Sequence, residues 1–489
     1  MTLHNTSTLI ETINKTLENK GFKPELPSTL LWLFFLGNGL LLILYGSSII
    51  KPFHNALFRL NGFTYLIWTT VSFFSAIVGS YSSNYLKGVS YKAIFSRLTI
   101  GFTLSVMLFV ASNHVFAILC SWFIMGIFMS KLIGIDKTWG DAKEAARYTQ
   151  NYFTTGTLFL STGVLLLAFS SGRFTLIGLN ASLSDIPNNI LVISAICIIT
   201  AAAIQSAMFP FQKWLLSAMT APTPASALMH AGFVNGAGLL LALLASVIVT
   251  SNTLNVLFII GGLTALIAQF TKLLQVNVKQ KLACSTIAQM GFMIMQCGLG
   301  FFNAAVVHLI LHGFYKAYLF LSSGEDINES LPTPKPVLNI TPLQSIIVLI
   351  FGLLGAFVFT QLTGKGYAID SRLFLTVIVA ITVGQITYNI VKEKSLSILQ
   401  KILFPPVLFI SGIVVYALMY NGVTSIMTNM PLAGQPTEIT WIQIIFGMFF
   451  LVGFFIMKLG IYKKFPWLYV KLMTLSQPYK KTVLMYKSN

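Results

Sequence analysis

The sequence is short of acid. Of 489 residues only 13 are Asp or Glu, against 31 Lys and Arg, and charged residues of all kinds make up 9%. The carboxylates are Glu11, Glu18, Glu25, Asp136, Asp141, Glu144, Asp185, Glu325, Asp326, Glu329, Asp370, Glu393 and Glu438, each in a terminus, a connection or a helix end of the reading below. That excludes the intramembrane carboxylate site usual in a Na⁺ or H⁺ carrier. Cysteine is equally sparse: Cys120, Cys197, Cys284 and Cys297 form no CxxC pair. Disulfides, zinc ribbons and Fe–S clusters are therefore not expected, and buried thiols are. No Walker loop, strand-borne GxGxxG, CxxCH or HExxH occurs, so nucleotide, haem and hydrolytic chemistry are not expected. The chain reads as a non-enzyme without a metal or cofactor of its own. No Gly/Ser/Pro-rich linker divides it, and no polar stretch exceeds about 30 residues, well short of a domain with its own core. Solution chemistry would have to come from another subunit. A cleavable signal peptide is not expected, because residues 1–28 are polar and the first apolar run is too long for one.

What is present is apolar sequence. At 55% hydrophobic and a mean hydropathy of +0.80, the chain is expected to be an all-α polytopic membrane protein. Runs of about 20 apolar residues suffice to span a bilayer, and about 14 are predicted: 29–50, 62–82, 95–112, 114–135, 150–170, 189–219 (broken near Pro210), 224–249, 254–271, 282–299, 303–322, 338–361, 373–391, 402–420 and 439–460. The net charge of +18 reads as topology rather than nucleic-acid binding, because cytoplasmic loops of membrane proteins collect Lys and Arg. With both termini in the cytoplasm, the outside connections hold only Lys51, Arg59, Arg173, Lys365 and Arg372. Two loops run mildly against that rule: 51–61 is basic yet outside, and 323–337 is acidic yet inside. The basic tail 461–489 interleaves lysines with Phe465, Trp467, Tyr469, Tyr479 and Tyr486, as a helix resting on anionic headgroups would. A docking face for a cytoplasmic partner is the other reading.

The chemistry-bearing residues cluster. Pro210, Pro222 and Pro224 fall inside or beside apolar runs. A proline breaks backbone hydrogen bonds, and lipid supplies no substitute, so such a break must face protein or a wet cavity. Lys213 follows the first break and His230 the second. His308, His312 and Lys316 recur at i, i+4 and i+8, on one helix face. Histidine titrates near neutrality, and removing water from an ammonium disfavours its charged form, so this row is suited to proton exchange. The other reading of the histidine pair is packing with an interhelical hydrogen bond. Zinc is disfavoured, since no third ligand lies nearby in sequence. Lys272 ends the 254–271 span, where a lysine can also reach back to the interface. Lys279 and Lys281 read as loop charges.

These residues sit in recognisable surroundings. Ser206-Ala-Met-Phe-Pro-Phe-Gln-Lys-Trp-Leu, then Ala221-Pro-Thr-Pro-Ala-Ser-Ala-Leu-Met-His-Ala-Gly, resemble the antiporter-like subunits shared by respiratory complex I and Mrp cation/proton antiporters. Lys281-Leu-Ala-Cys-Ser-Thr-Ile-Ala-Gln-Met-Gly and His308-Leu-Ile-Leu-His-Gly-Phe-Tyr-Lys-Ala-Tyr-Leu match the second signature region of that superfamily. Within it, His230-Ala-Gly-Phe-Val-Asn-Gly-Ala-Gly, Lys272-Leu-Leu-Gln and Gln296-Cys-Gly-Leu-Gly are similar to the DabB branch, the membrane subunits of two-component inorganic carbon accumulation complexes. The resemblance implies two inverted five-helix repeats, here 95–249 and 254–391, between N-terminal helices (29–94) and C-terminal helices (402–460). It implies H⁺ or Na⁺ moving through a multi-pass protein of the bacterial inner membrane. It also implies a large cytoplasmic partner (DabA) that resembles a β-carbonic anhydrase and carries the zinc. The ion path would use Lys316, His312, His308, Lys272, His230 and Lys213. There are departures. The family's Trp-Glu pair is Trp122-Phe123 here, and its first-repeat lysine is Gln205. The matching helix of the second repeat offers only Gly352 and Gly355 as a break.

Overall fold

The structure, a computed structural model, describes residues 26–323, 342–363, scattered positions from 370 to 390, 397–427, 430, 438–458 and 461–482. The acidic loop residues Glu325, Asp326 and Glu329, and Lys365, lie outside the described residues. So do the first 25 residues.

Ten helices among the described residues are long and apolar enough to cross a membrane, so the chain is an all-α polytopic membrane protein. In chain order, α1 (Leu26–Gly46) and α2 (Gly62–Tyr85) are joined by a hairpin of two-residue strands, β1 (Phe53–His54) and β2 (Arg59–Leu60). There follow α3 (Lys92–Ala111), α4 (Val115–Ile133), α5 (Gly140–Ser171), the short α6 (Leu176–Ala181) and α7 (Asn188–Gln205). The region after α7 is broken into α8 (Lys213–Ser217), α9 (Thr223–Leu228), a π turn at Met229–Phe233, α10 (Gly236–Leu243) and α11 (Ala245–Thr250). Long helices then resume: α12 (Leu254–Leu274), α13 (Val278–Gly298), α14 (Phe302–Leu321), α15 (Pro342–Thr363), α16 (Ile398–Ile426) and α17 (Trp441–Lys458). A surface helix, α18 (Pro466–Leu475), follows.

Burial separates these helices by role. The stretch Thr223–Leu243 is 94% buried, whereas α16 is 22% and α1 11% buried over their apolar windows. The interrupted segment is thus the centre of the bundle, and the outer helices present Leu, Ile and Phe to the surroundings. That distribution suits a membrane, where an exposed polar backbone break is not tolerated but an exposed leucine is. Small residues let the inner helices approach. A Cβ added at Gly261 would lie 2.5 Å from the Gly291 carbonyl oxygen, and one at Gly298 would lie 2.4 Å from the Phe258 nitrogen. Helices α12 and α13 therefore cross backbone to backbone, as small residues permit in membrane interiors.

Both ends of the bundle are fixed by polar staples. At one end Asn113 donates to the Asn55 carbonyl at 2.6 Å, while the Asn113 carbonyl accepts from the Leu176 N–H at 2.6 Å. One side chain and its backbone thus tie the β-hairpin to α6. At the other end the tail folds onto its own bundle. Gln212 donates to the Leu475 carbonyl at 3.4 Å, the Tyr479 N–H donates to Ser217 Oγ at 3.0 Å, and Tyr148 and Tyr479 stack with centroids 4.3 Å apart. The tail's inner face is a contact with this chain itself. Trp467 and Val470 on α18 remain 71% and 61% exposed.

One sequence expectation is corrected and two are refined. The 224–249 stretch keeps a span-length apolar segment, Thr223–Leu243, but builds it from short helical pieces rather than one continuous α-helix. Lys279 and Lys281 are not loop charges; they lie in the first turns of α13, behind the Asn277 cap. And α15 runs unbroken through Gly352 and Gly355.

Candidate functional site: a buried histidine–lysine row beside a broken helix

Helix α7 stops at Gln205, and a cis peptide bond joins Phe209 to Pro210 before α8 begins at Lys213. The second interruption starts at Ala221, just ahead of Pro222 and α9, and the Ala221 carbonyl is satisfied by side chains. Lys279 Nζ from α13 donates to that carbonyl at 2.9 Å. Ser226 Oγ reaches it at 3.3 Å. Two turns later the π turn shifts the ladder by one residue, so that the Val234 N–H donates to the Met229 carbonyl at 3.1 Å. The carbonyls displaced by this shift are satisfied by side chains. Asn235 Nδ2 donates to Ala231 at 2.7 Å, Gln205 Nε2 donates to Phe233 at 3.2 Å, and Ser206 Oγ donates to Val234. Each break is thus closed by a polar side chain rather than by lipid, as a membrane interior requires.

His230 sits in the π turn. It is fully buried, its ring stacks on Phe320 of α14 at 4.3 Å, and neither ring nitrogen has a hydrogen-bond partner among the described residues. Facing it, α14 carries the row expected from the spacing. Lys316 is 0% exposed and donates to the Leu282 carbonyl of α13 at 3.1 Å. His312 is 5% exposed with both ring nitrogens unpartnered, and its ring stacks on His308 at 6.0 Å. His308 is half-buried, with Phe292 at 5.5 Å. Electrostatic interactions connect His308, His312, Lys316 and His230, and connect Lys316 with Lys272 and Cys284. Lys272 is half-buried in the last turn of α12. The fold therefore brings Lys316, His312, His308, Lys272 and His230 into one electrostatic cluster.

Lys213 stands apart. It lines a groove of about 750 Å³ with Tyr469, Met473 and Tyr479 of the tail. Pro210, Pro222 and Pro224 mark the two interruptions as expected. Phe123 is 37% exposed while its neighbour Trp122 is buried, and Gln205 serves the π turn. Neither family position with a departure contributes charge.

Some participants carried little signal in sequence. Lys279 as a carbonyl cap needed the knowledge that α13 packs near Ala221; the Asn277 cap two residues earlier was the available local clue. Gln212, Thr264, Thr271 and Cys284 line a small space of about 10 Å³ next to the Pro210 break, room for about one water. No group of three metal-ligating side chains occurs among the described residues. The site gathers imidazoles and an amine, groups whose chemistry is proton exchange. A carboxylate step is not available in it.

Comparison with known proteins places this geometry. Residues 112–390 match the family described as NADH:quinone oxidoreductase/Mrp antiporter, transmembrane. The probable inorganic carbon transporter subunit DabB2 of Halothiobacillus neapolitanus is 30% identical over 404 residues, 81% of this chain and 67% of that one. The probable inorganic carbon transporter subunit DabB of Bacillus anthracis is 33% identical over 334 residues, covering 68% of this chain and 64% of that one. Against the DabB1 protein of Halothiobacillus neapolitanus the match spans 47% of that chain's length. Among solved structures, the Mrp complex of Dietzia sp. DQ12-45-1b superposes with a TM-score of 0.63 at 20% identity, over 91% of this chain and 55% of that one. The archaeal membrane-bound sulfane sulfur reductase superposes with a TM-score of 0.59 at 20% identity, over 94% and 93%. The broken central helix, the buried lysine–histidine row and these matches carry one conclusion: the chain belongs to the NADH:quinone oxidoreductase/Mrp antiporter family of transmembrane subunits, among the DabB-like members.

Proposed function

We propose that the chain is the energy-coupling membrane subunit of a two-component inorganic carbon accumulation complex. A cation, the proton by this reading, passes through the His308–His312–Lys316 row and His230. Its movement drives CO₂ hydration one way in a large cytoplasmic partner of the DabA type, which holds the zinc. The observation that carries the reading is the pair of buried, unpartnered imidazoles near Lys316: His312 one turn before it on α14, and His230 opposite in the broken segment. An ammonium buried in a membrane interior without a carboxylate is costly and marks a functional position. The same reading takes the finer architecture from the family: about 14 spans, inverted repeats at 95–249 and 254–391, both termini cytoplasmic, and the bacterial inner membrane. The similarity to the three DabB proteins above supports the substrate class.

The runner-up is an ion-translocating subunit of an Mrp antiporter or a complex I-like assembly, which the fold likeness favours. Phe123 and Gln205 count against it, because that route uses a first-repeat glutamate and lysine. They also keep a third reading open, a non-conducting anchor for the cytoplasmic partner.

The test uses a host that lacks carbonic anhydrase and needs high CO₂. The chain is expressed with and without the large soluble protein encoded beside it, and growth in air and labelled carbon uptake are followed before and after an uncoupler. Uptake that requires both chains and collapses with the uncoupler supports the proposal. Lys316→Ala is expected to assemble normally and to lose at least about tenfold in uptake. Unchanged uptake in that variant overturns the ion path. Failure of the pair to support growth, with both proteins in the membrane, moves the assignment to a cation antiporter, tested next by Na⁺ tolerance.

A further inference from the structure

The β-hairpin between α1 and α2 holds a second buried cation, at the end of the bundle away from the tail. Arg59 is 6% exposed, and its Nε and one terminal nitrogen are buried without a hydrogen-bond partner. It lines a cleft of about 300 Å³ with Pro52, His54, Asn61, Ile177 and Asn180. The only ion pair among the described residues joins Arg372 to Asp370, so no carboxylate answers this guanidinium. Burial pushes Arg59 down to about 10, and no nearby charge acts against that. A guanidinium nearly always finds partners for its five donors, because burying it unpaired is costly.

The cleft is built, not incidental. The Arg59 carbonyl accepts from Thr64 Oγ1 at 3.0 Å, and Asn61 caps α2 through the Thr64 N–H at 3.1 Å. Strand register sets His54 directly opposite Arg59, so their side chains share one face of the ribbon. The other wall is α6, tied to the hairpin through Asn113. From it Asn180 offers a carboxamide whose oxygen is also buried and unpartnered. The two atoms of an amide end can exchange places, so the same position can donate. The result is a guanidinium, an imidazole and a carboxamide around a cleft at the small end of ligand-sized pockets.

We propose that this cleft binds a small oxyanion, held by the Arg59 guanidinium and flanked by Asn180 and His54. The fork geometry of arginine matches a planar or tetrahedral oxyanion such as bicarbonate, a carboxylate or a phosphate group. Two sources share that chemistry: a free anion from the solution on this side, and the phosphate of an anionic lipid. The lipid source has a basis in the exposed Ile49, Phe53, Leu57 and Phe58 around the hairpin, which place the cleft mouth beside apolar surface. The site lies far from the histidine–lysine row and does not depend on the function proposed for it.

The experiment takes the full chain purified in a nonionic detergent. Thermal unfolding is measured against bicarbonate, phosphate and chloride at fixed ionic strength and pH, and co-purified phospholipid is quantified by mass spectrometry. A free-anion site gives a saturable rise in Tm with bicarbonate or phosphate, and Arg59→Gln weakens the apparent affinity at least about tenfold. A lipid site gives about one retained anionic phospholipid per chain that Arg59→Gln loses. Asn180→Leu, which fills the cleft without removing Arg59, serves if the arginine variant does not fold, and is expected to reproduce either loss. The proposal fails if the wild type shows neither a saturable anion effect nor a retained lipid, or if both survive unchanged in the variants.

Discussion

At the scale of single residues, the question is whether a buried imidazole is there to pack or to exchange protons. His230 makes it answerable, because its ring stacks face to face on Phe320 and forms no hydrogen bond among the described residues. A phenylalanine has nearly the same flat shape and no nitrogen. His230→Phe is therefore expected to keep the stack, worth about 0.5–1.5 kcal/mol in aromatic pairs, and to leave thermal stability unchanged or slightly raised. Ion-coupled uptake is expected to fall with it. If uptake persists in the His230→Phe protein, His230 is a packing residue and the path must run through His312 and Lys316 alone. The sequence made His308, His312 and Lys316 legible, since i, i+4, i+8 spacing forces one face. It could not show that His230 would meet that face, because the meeting depends on a π turn whose extra residue reorients the ring.

The elements themselves were legible in proportion to their hydropathy. Long apolar runs such as 62–82 and 254–271 return as α2 and α12 with ends moved by a few residues. The interruption inside the 224–249 span escapes hydropathy, which averages over a window and is blind to a change of hydrogen-bond ladder. Every residue from Thr223 to Leu243 except Gly232 is buried, so nothing in apolarity marks where the helix is interrupted. The polar residues that repair the break, Gln205, Ser206 and Asn235, are the local sign that was there to read. Glycine carries a comparable message between α12 and α13. A Cβ at Gly291 would stand 2.6 Å from the Ala265 nitrogen and 2.7 Å from the Gly261 carbonyl oxygen. Those are backbone atoms, which cannot swing aside as a side chain can. Gly291→Val is expected to force the helices apart and to lower stability by about 1–3 kcal/mol or more. Gly412 on α16, with nothing within 4 Å, is the control, and Gly412→Ala is expected to be close to neutral. Since the Lys316 acceptor, the Leu282 carbonyl, lies on α13, Gly291→Val should reduce uptake beyond its effect on the amount of folded protein. Matching thermal unfolding and expression-corrected uptake in the two glycine variants decides it.

Over the whole molecule, the two ends of the bundle differ in their content of positive charge, from which an orientation is expected. One end gathers the hairpin, Asn113 and α6; the other gathers Tyr148, Ser217, Gln275 and the basic tail, tied together by Tyr479 and Ser476. Lysines crowd the tail end, with Lys464, Lys471, Lys480 and Lys481 described there and Lys279 close by, whereas the hairpin end shows Lys51, Arg59 and Arg173. Positive charge is retained on the cytoplasmic side during insertion, so the tail end is expected inside and the hairpin end outside. The basic 51–61 loop, with Arg59 buried in its cleft, is one of two local objections to this; the acidic 323–337 loop is the other. An epitope inserted between Lys51 and Pro52 is expected to be reached by antibody on cells whose outer envelope has been opened but whose inner membrane is intact. One appended after Asn489 is expected to be reached only after that membrane is permeabilised. Detection of both from the same side would make the number of crossings between them even instead of odd. That outcome would break the fourteen-span reading, and with it the inverted relation between 95–249 and 254–391 that the proposed ion path assumes.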